Sequence, residues 1–204
     1  MALLAVAGGT AQAAEFRAEK YPALTSGEQT GTGTGKGTIL AFEGQMTECG
    51  AGGFEGELAA AAPSLTIEPH GSGCTAFGVS SAELLLNGCT YRLHPGTGSS
   101  DNFSGSLDIV CPEGQSITVI GNGCEVKIGA QTGLEAVEYE NLTATSPKKG
   151  LQVVFNIHNF TYTKVKDGIF CPLNGTGVGS DGTLVGKTRV TATNSGNADG
   201  LWIE

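Results

Sequence analysis

The stretch Ser116–Gly129, SITVIGNGCEVKIG, contains the pattern that decides the fold. Ile117 and Val119 alternate with polar residues, Asn122-Gly123 follows, and Cys124–Ile128 alternates again. Two short alternating runs around an Asn-Gly pair are a strong local signal for a β-hairpin, because this pair accepts the positive φ angles of a tight turn. The stretch therefore predicts two antiparallel strands, with a cysteine at the start of the second.

The same turn–cysteine–strand unit recurs upstream. Asn87–Leu93, NGCTYRL, matches Asn122–Ile128, NGCEVKI, with the cysteine, the hydrophobic pair and a basic residue in register. Ser64–Ile67 also leads to a Gly-Cys pair at 73–74, as the strand before Cys124 does. The repetition indicates either two related halves or only the turn chemistry that hairpins share.

The composition favours short strands and tight turns over helices. Glycine accounts for 33 of the 204 residues, and charged residues for 15%, whereas about a quarter is usual. Outside the first dozen residues, no window repeats apolar positions at helical spacing. Turn signals every 8–12 residues or so are typical of an all-β sandwich or barrel.

We expect a disulfide-stapled antiparallel β-sandwich of the jelly-roll or immunoglobulin-like type. Residues 14–204 are predicted to form a single all-β domain, because 204 residues suffice for one sizeable core. The recurrence of the turn–cysteine–strand unit predicts two pseudo-repeat halves that meet near 112–115.

Local turn signals predict further features of the chain. Glu43-Gly44 and Asn87-Gly88 are each predicted to close a hairpin between the strands that flank them. Gly50–Gly53 is predicted to turn the chain between two strands. Leu151–Ile157 and Phe160–Val165 are predicted to be two separate strands.

The charge balance argues against nucleic acid as a partner. The chain carries 11 Lys and Arg against 20 Asp and Glu, which gives a net charge of −9. The only basic doublet is Lys148-Lys149. A phosphate-binding surface needs clustered cations, and we expect none here. An acidic surface keeps an exported protein soluble and can attract cations.

The N-terminal segment MALLAVAGGTAQAA resembles the end of a signal peptide. An apolar run over 2–7 precedes an Ala-Gln-Ala triplet at 11–13, which fits the h-region and cleavage site. The basic residues that usually come first are missing, and an ordinary apolar N-terminus is the alternative. We expect residues 1–13 to be a signal-peptide remnant and the protein to be secreted or held in the cell envelope. No segment has the 18 or so apolar residues of a transmembrane helix.

The cysteines predict structural disulfides. Their number is even, none forms a CxxC pair, and no histidine lies at zinc-ligand spacing, so we expect no metal and no cofactor. Six cysteines allow fifteen connectivities, and the sequence does not choose among them. Pairing of neighbours is our prediction, and the pairs are Cys49–Cys74, Cys89–Cys111 and Cys124–Cys171.

Two acidic residues are candidates for hydrolytic chemistry. Glu138 and Glu140 lie two apart in a predicted strand and therefore on one face, with Val137 and Tyr139 on the other. Paired carboxylates can hydrolyse glycosides or hold calcium, but adjacent solvated acids on a strand are common. No G-x-S-x-G motif is present, and we predict no catalytic residue.

Aromatic residues give a second set of candidates, for ligand binding. His158, Phe160 and Tyr162 are predicted to share a strand face, as a sugar-stacking stripe or, as the commoner alternative, a core row. Trp202 is the single tryptophan, and with Tyr162 and Tyr91 it would have to surround a concave face. Aromatic residues make up only 6% of the chain, which counts against a glycan-binding module.

Several motifs resemble those of uncharacterised exported proteins of high-GC Gram-positive bacteria. They are Tyr21-Pro22, Cys74–Gly78, Asn87–Tyr91, Asp108–Pro112 and Cys124–Ile128. The resemblance covers most of the chain and is specific mainly at the cysteines. It implies a disulfide-bonded extracellular β-protein and assigns no activity or site.

Three functional hypotheses follow. The first, which we favour, is a non-catalytic extracellular or cell-envelope module, structural or adhesive, that binds an unidentified surface protein or glycan. The second is a secreted module that binds a glycan or a small ligand through exposed aromatic residues. The third is a secreted glycoside hydrolase that uses Glu138 or Glu140.

Overall fold

The structure is a computed structural model and describes residues 13–30, 38–99, 101–142 and 150–204. The predicted signal peptide over 1–13 lies, apart from residue 13, outside these described residues, as does Lys148-Lys149. The described residues form fifteen β-strands and no helix, which confirms the all-β prediction. The strands are β1 Phe16–Ala18, β2 Ala23–Thr30, β3 Ile39–Phe42, β4 Gln45–Leu58, β5 Leu65–Ala76, β6 Val79–Leu85, β7 Thr90–Ser99, β8 Asn102–Val110, β9 Ile117–Gly121, β10 Cys124–Ile128, β11 Gln131–Leu142, β12 Gly150–Asp167, β13 Gly177–Asn194, β14 Asn197–Asp199 and β15 Leu201–Ile203.

The strands pair in antiparallel ladders that close into two eight-membered rings. One ring, the first barrel, runs in the order β2, β4, β5, β7, β8, β11, β12, β13 and returns to β2. The other, the second barrel, runs in the order β3, β4, β5, β6, β9, β10, β12, β13 and returns to β3. The predicted β-sandwich is therefore wrong in its architecture. Closure pairs the backbone N–H and C=O groups that the edge strands of a sandwich leave unpaired.

The two barrels share four long strands, β4, β5, β12 and β13. Each contributes one part of its length to the first barrel and the other part to the second. In β12, for example, Leu151–Phe155 pairs with β11 and the part from Thr163 onward pairs with β10. Both barrels take strands from either side of the predicted boundary near 112–115, so this boundary does not separate them. The pseudo-repeat itself stays a prediction.

Strand β4 shows how one strand serves both barrels. Thr47 and Cys49 are buried on one side of Gly50–Gly53, and Phe54 and Leu58 on the other, so the inward-facing alternation shifts within the glycine run. The predicted turn at Gly50–Gly53 is wrong, because β4 continues through this run and Ala51, Gly52 and Gly53 each pair with β5. The glycines instead allow the strand to pass from the second barrel into the first.

The predicted hairpins are confirmed at two of the three turns. Glu43-Gly44 joins β3 to β4, and Asn122-Gly123 joins β9 to β10, with positive φ at all four residues. Asn87-Gly88 also forms a tight turn, in which the Cys89 N–H donates to the Leu86 carbonyl at 2.8 Å. Its flanking strands do not pair with each other, so this hairpin prediction is wrong. β6 pairs with β5 and β9, and β7 with β5 and β8, because the turn carries the chain from the second barrel to the first.

Each barrel has its own aromatic packing. In the first, the buried rings of Phe16 and Tyr139 meet edge to face with centroids 5.8 Å apart. In the second, Phe42 contacts three further buried rings at centroid distances of 4.9 to 6.3 Å, those of Phe77, Phe160 and Tyr162. These contacts add to the apolar burial that stabilises the fold.

The three predicted disulfide pairs are confirmed. Cys49–Cys74 joins directly opposed residues of β4 and β5 in the second barrel. Cys89–Cys111 joins the residue before β7 to the residue after β8. Cys124–Cys171 joins β10 to the segment after β12 and closes the longest loop, with a sequence separation of 47. Disulfides of this kind are typical of extracellular compartments, and they are consistent with an extracellular protein.

Candidate functional site

A slit opens between β6 and β7, where the chain leaves one barrel for the other. On β5, Leu65–Ile67 pairs with β7, and Cys74 and Ala76 pair with β6. Among the described ladders, residues 68–73 of β5 between these points pair only with β4. The wall is therefore interrupted here, next to the turn at Asn87-Gly88.

A cavity of about 50 Å³ lies beneath this slit. Half-buried Leu84, Leu86 and Tyr91 line it towards the surface, and buried Ile67 and Phe155 line it towards the core. Its walls come from strands of both barrels. The walls of this slit cavity are mostly apolar, and among the residues that the structure describes the lining contains no Asp, Glu, Lys or Arg.

One residue that lines the slit cavity carries a buried hydroxyl without a partner among the described residues. The side chain of Thr47 is only 2% exposed, and its Oγ1 is buried without a hydrogen bond to any described residue. An unpartnered buried hydroxyl costs free energy, so such groups are uncommon in folded proteins. Its Oγ1 is closed off from the cavity as well, so a molecule held there does not reach it.

Two further polar side chains lie at the opening. Burial raises the pKa of Tyr91 from its ordinary value of 10 to about 12, so its phenol stays neutral and can donate a hydrogen bond even in alkaline solution. The exposed His70 ring covers Gly53, and its Nε2 lies 3.0 Å from the position that a Cβ on this glycine would occupy. A side chain at position 53 would displace the ring, so the glycine fixes the shape of the opening.

The candidate hydrolytic pair lies on the outer face of the first barrel. Glu138 and Glu140 are exposed on β11, and Val137 and Tyr139 point inward, as predicted. The Gln152 Nε2 donates to Glu140 Oε2 at 2.8 Å across the neighbouring strand. The hydrolase hypothesis gains no support from the position of these carboxylates.

The predicted stripe of His158, Phe160 and Tyr162 is wrong. His158 is exposed, whereas Phe160 and Tyr162 are buried. The reason is a bulge at Asn159, which has a φ of 64° and shifts the alternation of β12 by one residue. The same bulge lies within a continuous strand, so the prediction of two strands here is also wrong.

The other aromatic candidates do not meet at one surface. Trp202 lies half-buried on β15, in the small sheet with β1, and its Nε1 donates to Glu204 Oε2 at 3.1 Å. Tyr162 lies in the second barrel, and its hydroxyl donates to Asp181 Oδ1 at 2.6 Å. Burial and the Asp181 carboxylate raise the Tyr162 pKa well above its ordinary value. Of the three residues, only Tyr91 lines the slit cavity.

A buried lysine that the sequence did not single out lies at the end of the second barrel. Lys164 Nζ donates to Glu43 Oε1 and, at 2.6 Å, to the Asn174 carbonyl. Glu43 Oε2 accepts hydrogen bonds from the Asn174 backbone N–H at 2.7 Å and from its side chain at 2.9 Å. These bonds, first among them that from Lys164, lower the pKa of Glu43. Every charge in this cluster is compensated, which indicates a structural role.

The residues 168–171 form an exposed apolar turn, here called the Ile169–Phe170 turn. Ile169 is 97% exposed and Phe170 77% exposed. The Cys171 N–H donates to the Gly168 carbonyl at 2.8 Å, and the Gly168 N–H donates to the Gly123 carbonyl at 2.9 Å. The Cys124–Cys171 disulfide fixes the same turn to β10. Two large apolar side chains are thus held in solvent by a constrained backbone.

Within the described ranges, no three His, Cys, Asp or Glu side chains are placed to share a metal ion. The same part of the chain has no helix with the length and apolar character required to cross a bilayer. No protein-family model matches the chain, and no curated protein or solved structure matches it either.

Proposed function

We propose that the protein is a non-catalytic extracellular or cell-envelope module that binds a surface partner through the Ile169–Phe170 turn. The observation that supports the proposal is the exposure of both side chains on a turn held by a disulfide and two backbone hydrogen bonds. Large apolar side chains in water carry an unfavourable solvation free energy, and burying them against a partner removes it.

The constraint on the turn favours binding. Association loses free energy when side chains and loops become ordered, and a turn that is already fixed loses less. Aromatic and aliphatic anchors that enter a pocket commonly dominate the binding free energy of an interface. Phe170 and Ile169 have the exposure that such anchors need.

A protein is the favoured partner. The net charge of −9 opposes approach to an anionic lipid surface. Two side chains projecting from a narrow turn fit an apolar pocket of a protein better than a flat glycan surface, which is recognised by several exposed aromatic rings. The three disulfides support a place outside the cytoplasm for this encounter.

The test is a binding titration of the labelled, purified protein on envelopes isolated from the cells that produce it. The variant Ile169→Ser/Phe170→Ser is expected to bind at least about tenfold more weakly, because both anchors are lost. A matched control, Leu24→Ser/Met46→Ser, removes two other exposed apolar side chains, 52% and 58% exposed, and should bind within about twofold of the parent protein.

Two results would overturn the proposal. Equal binding by the turn variant and the parent protein would exclude the turn as the contact. Undiminished binding to envelopes stripped of protein by protease would exclude a protein partner.

A further inference from the structure

We propose that the peptide bond between Asn174 and Gly175 is a site of self-cleavage, in which the Asn174 side-chain amide attacks its own backbone carbonyl. The bond lies in the segment between β12 and β13, and both residues are exposed. The Lys164–Glu43 pair contacts both reacting groups of Asn174. The cleavage modifies the chain itself and does not depend on the function proposed for the Ile169–Phe170 turn.

Each member of the ion pair contacts one reacting group. Lys164, which is only 8% exposed, donates from Nζ to the Asn174 carbonyl oxygen at 2.6 Å. Asn174 Nδ2 donates to Glu43 Oε2 at 2.9 Å. The ammonium therefore lies at the oxygen that becomes negative during the attack, and the carboxylate lies at the nitrogen that must lose a proton.

Both charged groups suit these roles. The hydrogen bond from Lys164, followed by that from the Asn174 backbone, holds the pKa of Glu43 below its ordinary value of 4.5. Glu43 is therefore a carboxylate at neutral pH and can accept a proton as a general base. A cation fixed beside a carbonyl stabilises the oxyanion of the tetrahedral intermediate, most strongly where water is excluded.

The reaction balances without a co-reactant. A bond forms between Asn174 Nδ2 and the Asn174 carbonyl carbon, and the bond from this carbon to the nitrogen of Gly175 breaks. Glu43 takes one proton from Nδ2 and passes it to the departing nitrogen, which becomes a free amino terminus. The other fragment ends in a cyclic imide, and no water is consumed.

Two other Asn-Gly pairs, Asn87-Gly88 and Asn122-Gly123, serve as internal controls. Asn87 Nδ2 donates to the Ser116 carbonyl at 2.9 Å. Asn122 Nδ2 donates to the Phe77 carbonyl at 2.8 Å. A carbonyl oxygen is a much weaker base than a carboxylate, so we expect cleavage after Asn174 and not after Asn87 or Asn122.

The cleaved protein would stay assembled. Residues 175–204 include β13, which pairs with β12, β2 and β3, and they contain no cysteine. This fragment is therefore held by the sheets in the folded protein and separates on denaturation even without reduction. The Ile169–Phe170 turn stays on the other fragment, fixed by Cys124–Cys171.

The test incubates the purified, disulfide-bonded protein at neutral pH and follows it by mass spectrometry after denaturation and reduction. We expect one fragment that ends at Asn174 and another that contains residues 175–204. In the earliest samples, quenched in acid before the imide takes up water, the first fragment should be lighter by one water molecule than the product of hydrolysis.

Three variants test the assigned roles. Glu43→Gln removes the base and Lys164→Met removes the oxyanion donor, and each should slow cleavage at least about tenfold. Asn174→Ala removes the nucleophile and should abolish cleavage. Circular dichroism verifies that each variant is folded.

Four results would overturn the proposal, and the first three need only the parent protein. They are an intact chain after prolonged incubation, a carboxylate at Asn174 from the first samples onward, which would indicate hydrolysis, and equal cleavage after Asn87 or Asn122. The fourth is an unchanged cleavage rate in folded Glu43→Gln or Lys164→Met.

Discussion

Lys164 and Glu43 form an ion pair at the end of the second barrel although they are 121 residues apart in the chain. Lys164 is buried on β12, and Glu43 lies in the turn between β3 and β4. The Asn174 carbonyl and N–H complete the hydrogen bonds of both charges. The pair thereby ties the β3–β4 turn to the segment that follows β12.

Lys164→Met is expected to lower the free energy of unfolding by about 3 kcal/mol. The substitution removes the partner of a partly buried carboxylate, and breaking such a pair is strongly destabilising. Urea unfolding followed by circular dichroism measures the change. Lys127→Met breaks the more exposed ion pair with Glu125 and should cost under about 1 kcal/mol. A loss as small as this at Lys164 would contradict the structural role of the buried pair.

The same pair predicts acid sensitivity. The pKa of Glu43 is lowered in the folded protein from its ordinary value of 4.5, chiefly by the hydrogen bond from Lys164. A carboxyl with a lowered folded pKa contributes stability above its unfolded pKa, and this contribution is lost as the pH falls through the folded pKa. The free energy of unfolding should therefore decline as the pH falls below about 4.5. Glu43→Gln should show a shallower decline, and an unchanged slope would refute the assignment.

Two glycines provide a matched test of the close packing around β4. A Cβ at position 53 would lie 2.5 Å from the Gly27 carbonyl oxygen, which belongs to the backbone of β2 and cannot easily move. Gly53→Ala is therefore expected to cost about 1–3 kcal/mol in unfolding free energy. At Gly129 a Cβ would meet nothing within 4 Å, so Gly129→Ala should be neutral or slightly stabilising. Similar values for the two variants in chemical denaturation would contradict the packing described for β4.

The disulfides predict a ranked loss of stability. Chain-entropy arguments give about 4 kcal/mol for the Cys124–Cys171 bridge and about 3 kcal/mol for Cys89–Cys111, because the first closes the longer loop. Paired Cys→Ala variants compared by urea unfolding measure the difference. A reversed ranking would show that native-state contacts outweigh loop length.

The connectivity has a direct check as well. A non-reducing peptide map after alkylation should recover three bridges and no alkylated cysteine, because the described cysteines are all paired. Two or more alkylated cysteines would contradict the framework and reopen a redox or metal role.

The local parts of the fold could be predicted from the sequence, and its closure could not. At Glu43-Gly44 and Asn122-Gly123, the two residues of each turn are themselves the signal for it. Each disulfide joins two cysteines that follow one another in the order of cysteines along the chain. An alternation of period two is the same in a sandwich and in a barrel, so the pattern could not decide between them. Gly50–Gly53 was predicted to be a turn because glycine serves equally for turns and for close strand approach.

The slit cavity was missed for a related reason. Thr47, Leu84 and Phe155 come from three strands far apart in sequence, and no local pattern relates them. The bulge at Asn159 reversed the faces of His158 and its neighbours, and a single inserted residue leaves the apolar pattern almost unchanged. The Ile169–Phe170 turn did have a signal, because two large apolar residues lie between the turn residue Gly168 and Cys171.

The four strands that the two barrels share bear on how the chain can fold and be divided. Neither barrel has a complete wall without β4, β5, β12 and β13, and these strands come from both ends of the sequence. No cut in the polypeptide would therefore release one barrel as an autonomous unit. We expect the amides in the middle of these strands to exchange with solvent only when the whole molecule opens, so that the two barrels unfold in one cooperative transition.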